Sequence, residues 1–194
     1  MKQGVNNKDA RVIRSKRDLA NALEELLQEK NYDDITIVEI VDRAMVSKLT
    51  FYNNFIDKKD LLTFMFQRYV NDIYSLSSKL DTSLSIQDRY KEILRIIIHY
   101  IFQSPDKFKK MIKNDSSKTM FWIFSSFIQQ TTIKLSSYLS SLVKTTIPTN
   151  IIAYYYSGAC TSLLYNMFLN SNNNLSEELM VEYIYKLTMF TFEK

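Results

Sequence analysis

The spacing of apolar side chains divides the chain into a succession of helical stripes. Val12, Leu19, Leu23, Leu26 and Leu27 fall on one face of a helix expected over about residues 9–30, which the polar cluster Asn31, Tyr32, Asp33 and Asp34 ends. Thr36 and Glu39 then stand three apart, the signature of a capping box, so a short helix starts there. Its Ile37, Ile40, Val41 and Ala44 make one buried stripe and leave Val38, Glu39, Asp42 and Arg43 outside. Ser47, just beyond Met45 and Val46, is a second N-cap. Two short helices joined by a tight turn predict a helix-turn-helix, whose second helix is shaped to enter a DNA major groove. In that second helix Phe51 and Phe55, four apart, anchor to the core, which turns Lys48, Leu49, Tyr52, Asn53 and Asn54 towards solvent or DNA.

Asp57 caps a further helix, Lys58 to about Leu80, whose stripe of Leu61, Leu62, Met65, Phe66, Tyr69 and Ile73 faces two ways in succession, as a helix joining two bodies would. The polar stretch Asp81 to Ser85 is a linker. Helices are expected beyond it at about 86–103, 105–114, 117–143, 150–171 and 176–192, with Ser104, Thr149 and Ser176 as caps. The expectation is an all-α chain of about nine helices, and only two glycines and two prolines in 194 residues agree with long helices and short connections. The last two helices are apolar nearly all round, through Ile151, Ile152, Tyr155, Tyr156, Ala159, Leu163, Met167 and Phe168 in one and Leu179, Met180, Tyr183, Ile184, Leu187, Met189 and Phe190 in the other. Such helices are buried on more than one side, either at the centre of a monomer or, the reading adopted, in a homodimer interface where Gly158, Ala159 and Ser162 permit close approach.

Charge sharpens this picture at one place. The formal charge is +4, and residues 1–60 balance, yet Lys2, Lys8, Arg11, Arg14, Lys16 and Arg17 crowd the start against Asp9 alone. Beside a helix-turn-helix, that basic arm is expected to face phosphate instead of being a mere solvated tail. The lysines at 107, 109, 110, 113 and 118 alternate with Asp106 and Asp115 and read as a solvated helix face. A single cysteine, no signal-peptide pattern and no apolar run of the roughly 20 residues that a membrane span needs predict a soluble, cytoplasmic protein.

Catalytic material is sparse. His99 is the only histidine, so a two-histidine relay or histidine-rich metal site within one chain is excluded, and no P-loop or glycine-rich nucleotide fingerprint occurs. The expectation is no enzyme, no cofactor and no metal. His99 reads as a core or pocket-lining residue, with ligand contact as the sharper alternative; Cys160 reads as a packed thiol. Met120, Phe121, Trp122, Phe124, Phe127 and Ile128 form a dense apolar run that is either ordinary core or the wall of a cavity between helices.

The order T-x-x-x-I-x-x-x-A-x-V-S-x-x-T-F-Y-x-x-F-x-x-K-x-x-L from Thr36 to Leu61 resembles the DNA-binding domain of the TetR family of transcriptional regulators. The resemblance covers about residues 9–65. It implies a helix-turn-helix domain over 9–65 and an effector-binding and dimerisation domain over 66–194. It further implies a regulator, in the first instance a repressor, that binds a palindromic operator as a homodimer through its last two helices and is released by a small molecule. On the family's motif Thr36 and Ile37 fall at a helix start that approaches phosphates, Lys48 and Leu49 at base-facing positions, Thr50 and Tyr52 at groove or phosphate contacts, and Lys58 at a phosphate-contacting helix terminus. Asn53 and Asn54 are also in place, and asparagine reads adenine bidentately. For the effector, the expected pocket draws on His99, Phe121, Trp122 and Tyr155. Two departures stand out: Met45 occupies the turn where glycine is usual, which at positive φ costs about 1 kcal/mol and is expected to re-shape the turn slightly, and Asn54 replaces an aromatic or histidine side chain. They keep open the alternative of a co-regulator that acts through another protein without its own operator.

Overall fold

The computed structural model describes residues 7–81, 83–102, 109–110, 118–142, 145–169 and 175–192. Among them stand eight α-helices and no strand: α1 (Asn7–Glu29), α2 (Ile37–Arg43), α3 (Lys48–Asn54), α4 (Lys58–Ser77), α5 (Ile86–Phe102), α6 (Thr119–Leu142), α7 (Thr149–Leu169) and α8 (Glu177–Phe192). The all-helical expectation holds; the ninth helix expected at 105–114 falls almost wholly outside the described residues.

Capping decides where most helices begin. Thr36, Ser47 and Asp57 each accept the backbone N–H three residues on, starting α2, α3 and α4. Ser85 does the same for α5 through Asp88 N at 3.1 Å, and Ser176 for α8 through Leu179 N at 3.3 Å. Thr149, expected as a cap, is instead the first helical residue of α7: the Pro148 carbonyl accepts the first helical bonds, from Ile151 and Ile152. Proline tolerates that place because it needs no helical N–H of its own.

α4 is the strut. Its expected stripe is buried in full, Leu61, Leu62, Met65, Phe66, Tyr69 and Ile73, with Val70 added. The first half meets Leu19, Leu23, Leu26 and Leu27 of α1 and Phe51 of α3; the second meets Ile97, Ile101, Phe124 and Phe127 of α5 and α6, all in one continuous core. Phe66 is the pivot, with its ring centroid 5.8 Å from Tyr69, 6.4 Å from Phe124 and 5.9 Å from Phe127. The aromatic run of α6 is therefore largely ordinary core. Val12, expected on the buried face of α1, is exposed beside Ile13, because the helices that cover α1 begin to do so only at Leu19.

α5 serves two cores from two faces. Ile97 and Ile101 turn to the α4 side, whereas Tyr90, Leu94 and Ile98 pack with Ile152, Tyr156, Met180, Val181 and Ile184 of α7 and α8. Across its outer edge α5 is laced to α8 by Lys91 with Glu182 (2.6 Å), Arg95 with Glu178 (3.4 Å) and His99 with Glu177 (2.8 Å). All of these pairs are partly solvated, so they set register more than they add stability.

Polar contacts add to the join. Tyr69 Oη donates to Glu24 at 2.5 Å, Arg68 to Asn21 at 2.9 Å and Tyr100 Oη to Asp72 at 3.0 Å, linking α4 to α1 and to α5. A core shared through one helix makes a specific demand on Phe66. Phe66→Ala is expected to destabilise the chain by about 3–5 kcal/mol in urea unfolding followed by circular dichroism. Leu76→Ala, at an exposed position of the same helix, is expected to stay within about 0.5 kcal/mol of the parent.

Candidate nucleic-acid interface

The interface is built from the α1–α2 connection upward. Glu39 closes the capping box, its Oε2 accepting Thr36 N at 2.9 Å and Thr36 Oγ1 at 2.8 Å, while Glu39 N donates to Thr36 Oγ1 at 3.3 Å. The Lys30 ammonium binds the other oxygen. The Lys30 hydrogen bond, with those from Thr36, holds the Glu39 carboxyl down at about 2. Arg43, at the far end of α2, forks onto Glu29 of α1 at 2.9 and 3.0 Å. Both ends of this seven-residue helix are thus tied to α1, and Ile40 and Val41 are buried beneath it.

The turn after α2 keeps its regular form. Val46 N donates to Val41 O at 3.0 Å and Met45 N to Asp42 O at 3.1 Å, the paired bonds of a Schellman turn, with Met45 in the left-handed position at φ 53°. The expected re-shaping does not occur: the 92% exposed Met45 side chain meets no packing constraint, so the penalty is conformational only.

α3 follows at once. Ser47 Oγ accepts Thr50 N at 3.0 Å, and Phe51 (0% exposed) and Phe55 (4%) hold the helix to the core. Lys16 of α1 lies 5.7 Å from the ring centroids of both Phe55 and Phe64, so this member of the basic arm belongs to the packing. Arg11, Arg14 and Arg17 stay exposed. With its underside anchored, α3 presents Lys48, Leu49, Tyr52 and Asn53 outward, while Thr50 is half-buried. Asn54 is half-buried as well and donates back to the Thr50 carbonyl at 2.7 Å. Thr36 is exposed and Ile37 half-buried at the start of α2, on the same unit.

Lys58 departs from the expectation of an outward phosphate contact. Its ammonium is turned back under the α1–α2 connection, donating to Tyr32 O at 2.5 Å, Ile35 O at 2.6 Å and Asp33 O at 3.4 Å. It also sits 4.2 Å from the Tyr32 ring centroid. Burial lowers its pKa from the usual lysine range. The three carbonyls lie in the turn between α1 and α2, outside either helix, and although Tyr32 O also accepts Ile35 N at 3.2 Å, their remaining lone pairs converge on the cation. From sequence this was hidden, because the carbonyls lie more than twenty residues upstream.

The residues expected to line an effector pocket do not converge. His99 is exposed and bound to Glu177 of α8; Trp122 is 67% and Tyr155 70% exposed; Phe121 packs edge-on to Tyr165 with centroids 5.0 Å apart. They sit on α5, α6 and α7 and point to different surroundings because apolar helices expose some large side chains. Trp122 lines a space of about 260 Å³ with Lys59, Thr63, Gln67 and Gln130, without the other three residues, and two further spaces lie elsewhere. A groove of about 230 Å³ lies between α4, α5 and α6, with Val70, Ile73, Arg89, Ile93, Lys134 and Tyr138 among its walls. A smaller space of about 60 Å³ lies further in, against Tyr156, Cys160 and Thr188. Burial raises the Cys160 thiol to about 11, so it stays protonated at neutral pH. Arg89, on the first turns of α5, shares a helix face with Ile86 and Ile93.

Residues 19–63 match the family described as "Bacterial regulatory proteins, tetR family". The chain is also similar over its whole length to the crystal structure of a putative TetR-family transcriptional regulator from Syntrophomonas wolfei, with a TM-score of 0.70, 19% identity and 95% of each chain covered.

Residues 19–63 carry the DNA-binding segment of the TetR family.

Among curated relatives, the chain is 36% identical over 66 residues to the uncharacterized HTH-type transcriptional regulator YxbF of Bacillus subtilis, covering 34% of this chain and 17% of that protein. It is 28% identical over 96 residues to the transposon Tn10 TetC protein of Escherichia coli, covering 50% of this chain and 47% of that one. The chain therefore spans less than half the length of either curated relative it matches. The fold is shared with TetR-family regulators of known structure, and residues 19–63 carry the helix-turn-helix that the motif implied. Among the described residues no helix is long and apolar enough to cross a membrane, and no group of three or more His, Cys, Asp or Glu side chains is placed to hold a metal ion.

The turn gives a direct test. Met45→Gly relieves the left-handed strain with no packing to lose and is expected to stabilise the chain by up to about 1 kcal/mol, raising the melting temperature by roughly 2–4 °C. Met45→Ala keeps the strained φ and is expected to leave stability nearly unchanged. Equal behaviour of the two in thermal unfolding would show that the turn is unstrained.

Proposed function

We propose that this chain is a transcriptional repressor that binds a palindromic operator as a homodimer and is released from it by a small molecule. The observation that carries the reading is the two-sided build of α3: Phe51 and Phe55 are sunk in the core while Lys48, Leu49, Tyr52 and Asn53 stand exposed side by side. That disposition supports a recognition helix, with Lys48 and Asn53 towards base edges, Leu49 towards thymine methyls and Tyr52 and Thr50 towards the groove wall or phosphate. Thr36, Ile37 and the exposed arginines of α1 serve as backbone contacts, and Asn54 acts by closing the end of α3 on Thr50. Lys58 acts by holding the α1–α2 connection under α4. Residues 9–65 form the DNA-reading part and 66–194 the sensing and dimerising part, sharing α4. The protein works in the cytoplasm, where its DNA is. The undistorted turn at Met45 lends no support to a co-regulator without an operator.

Dimerisation is supported by the outer face of α7 and α8. Ile151, Tyr154, Tyr155 and Leu163 on one helix and Leu179, Tyr183 and Leu187 on the other remain exposed, more contiguous apolar surface than a monomer ordinarily leaves in water. Gly158 lies on that face, and a methyl group added there would meet nothing within 4 Å. Mid-helix glycine costs about 0.5–1 kcal/mol against alanine, and a second subunit at close approach supplies a reason for it. A dimer sets two recognition helices about 34 Å apart, one turn of DNA.

The operator reading is tested by selecting bound duplexes from random sequence and titrating the preferred one at several salt concentrations. Lys48→Ala is expected to weaken the preferred site by about 1–3 kcal/mol while touching non-specific binding less. Lys58→Met is expected to lower folding stability by about 1–2 kcal/mol through its lost carbonyl bonds and to leave the salt slope unchanged. A slope reduced by roughly one counterion per subunit would mean that Lys58 touches phosphate after all. If no preferred sequence emerges, the co-regulator reading takes over. For the interface, Tyr155→Glu with Leu187→Glu, both at exposed positions, is expected to give folded monomers by light scattering. A wild-type monomer at micromolar concentration would overturn the dimer.

A further inference from the structure

The groove between α4, α5 and α6 has an uneven lining that narrows what it holds. Its apolar walls are Val70, Ile73, Ile93, Ile97 and Leu135, and its polar groups gather where the end of α4, the start of α5 and the later part of α6 meet. Two cations stand there, Arg89 and Lys134, and no carboxylate is among the lining residues. Arg89 Nη2 donates to the Asp81 backbone carbonyl at 3.2 Å and Nη1 lies 3.5 Å from Tyr138 Oη, a long contact. Its Nε is buried with no acceptor. Lys134 rests 5.6 Å from the Tyr74 ring centroid and forms no ion pair among the described residues. The Asp81 carboxylate feels the charge of Arg89 but makes its hydrogen bonds with Ser83 N at 2.8 Å and Ser83 Oγ at 2.7 Å.

We propose that this groove binds a small apolar monocarboxylate, its carboxylate between Arg89 and Lys134 and its hydrocarbon part running inward past Ile97 and Leu135. An unmade N–H on a half-buried guanidinium is costly; any acceptor relieves that cost, and an anionic one does so through a charge-assisted bond about twice as strong as a neutral one. The guanidinium fork matches the two oxygens of a carboxylate, and a single ammonium beside it supplies the remaining charge without the larger donor set that a phosphate requires. Size agrees. A volume of about 230 Å³ equals roughly eight waters at about 30 Å³ each. The inner space of about 60 Å³ shares the walls Ile97, Thr131 and Leu135 with the groove, so a chain of about eight carbons reaches it. The occupant lies against Val70, Ile73 and Tyr74 of α4, the helix whose other half carries the DNA-reading core. This inference rests on the ligand-responsive reading only for its consequence at DNA.

The test is calorimetric titration of the full chain, without DNA, with octanoate, octan-1-ol, octylamine and octyl phosphate. Octanoate is expected to bind at one per chain and roughly tenfold or more tighter than the alcohol and the amine. Arg89→Gln is expected to bring octanoate down to the level of the alcohol. Lys134→Gln, at an exposed position where folding is not at stake, is expected to weaken octanoate several-fold and leave the alcohol unchanged. Octanoate no tighter than octanol, binding unaffected by both substitutions, or no binding up to its solubility limit would overturn the proposal. Preference for octyl phosphate would overturn it in favour of a phosphate ligand. Octanoate binding that leaves operator affinity unchanged would uphold the ligand class and defeat the release mechanism, whereas operator binding with no octanoate binding would do the reverse.

Discussion

Burial of one helix on two sides is the constraint from which the remainder of this structure follows. α4 places Leu61, Leu62 and Met65 under the DNA-reading helices and Phe66, Tyr69, Val70 and Ile73 against α5 and α6, in a core without a seam. Each fully buried side chain of this kind contributes about 1.5–3 kcal/mol relative to exposure, so neither half of the helix can pull away from its partners cheaply. A helix of 20 residues spans about 30 Å as a rigid rod. Displacement at its C-terminal end therefore arrives at its N-terminal end as a rotation or a translation, not as a local adjustment.

What stands at the N-terminal end makes that transmission specific. Lys58, the first residue of α4, grips the carbonyls of Tyr32 and Ile35, which lie in the connection leading directly to the α2 cap at Thr36. α2 in turn is fastened by Glu39 and Arg43 to α1, and its turn sets α3. On the proposed function, a movement of α4 would reach α3 through a charged tether and a capped helix. The other end of α4 contributes Ser77 and Ser78 to the groove that carries Arg89. An anion drawn between α4 and α5 can bias the helix only if the two positions of α4 hold it with different affinity, and a guanidinium with an unmade bond is a means of creating that difference.

The parts of this arrangement that were legible in sequence are those set by neighbours along the chain. Capping boxes, the spacing of Phe51 and Phe55 and the stripe of α4 depend on residues three and four apart, and they stand where the pattern placed them. Lys58 was legible as a helix start but not in direction, since its acceptors are backbone atoms of a loop remote in sequence and carry no side-chain signature. Val12 kept the period of α1 past the point where a covering helix exists, which periodicity cannot reveal. The four residues expected around a pocket are not brought together in one chain. Aromatic content marks a helix as buried somewhere without saying which of its faces meets a cavity, a neighbour or a second subunit.

α5 shows what would have corrected this. Its Lys91, Arg95 and His99 recur every four residues on one edge, and the start of α8 offers Glu177, Glu178 and Glu182. Matched charge on two otherwise apolar helices predicts that these edges meet, as they do. Once that edge is taken by α8, Tyr90, Leu94 and Ile98 must face α7 and α8, and Ile93 and Ile97 are left to turn towards α4 and α6. Arg89, two positions before Lys91, falls outside the charged edge and on the side of Ile93, four residues on. A half-buried cation facing Ile93, with one N–H left without an acceptor, is the kind of local inconsistency that sequences retain at functional sites.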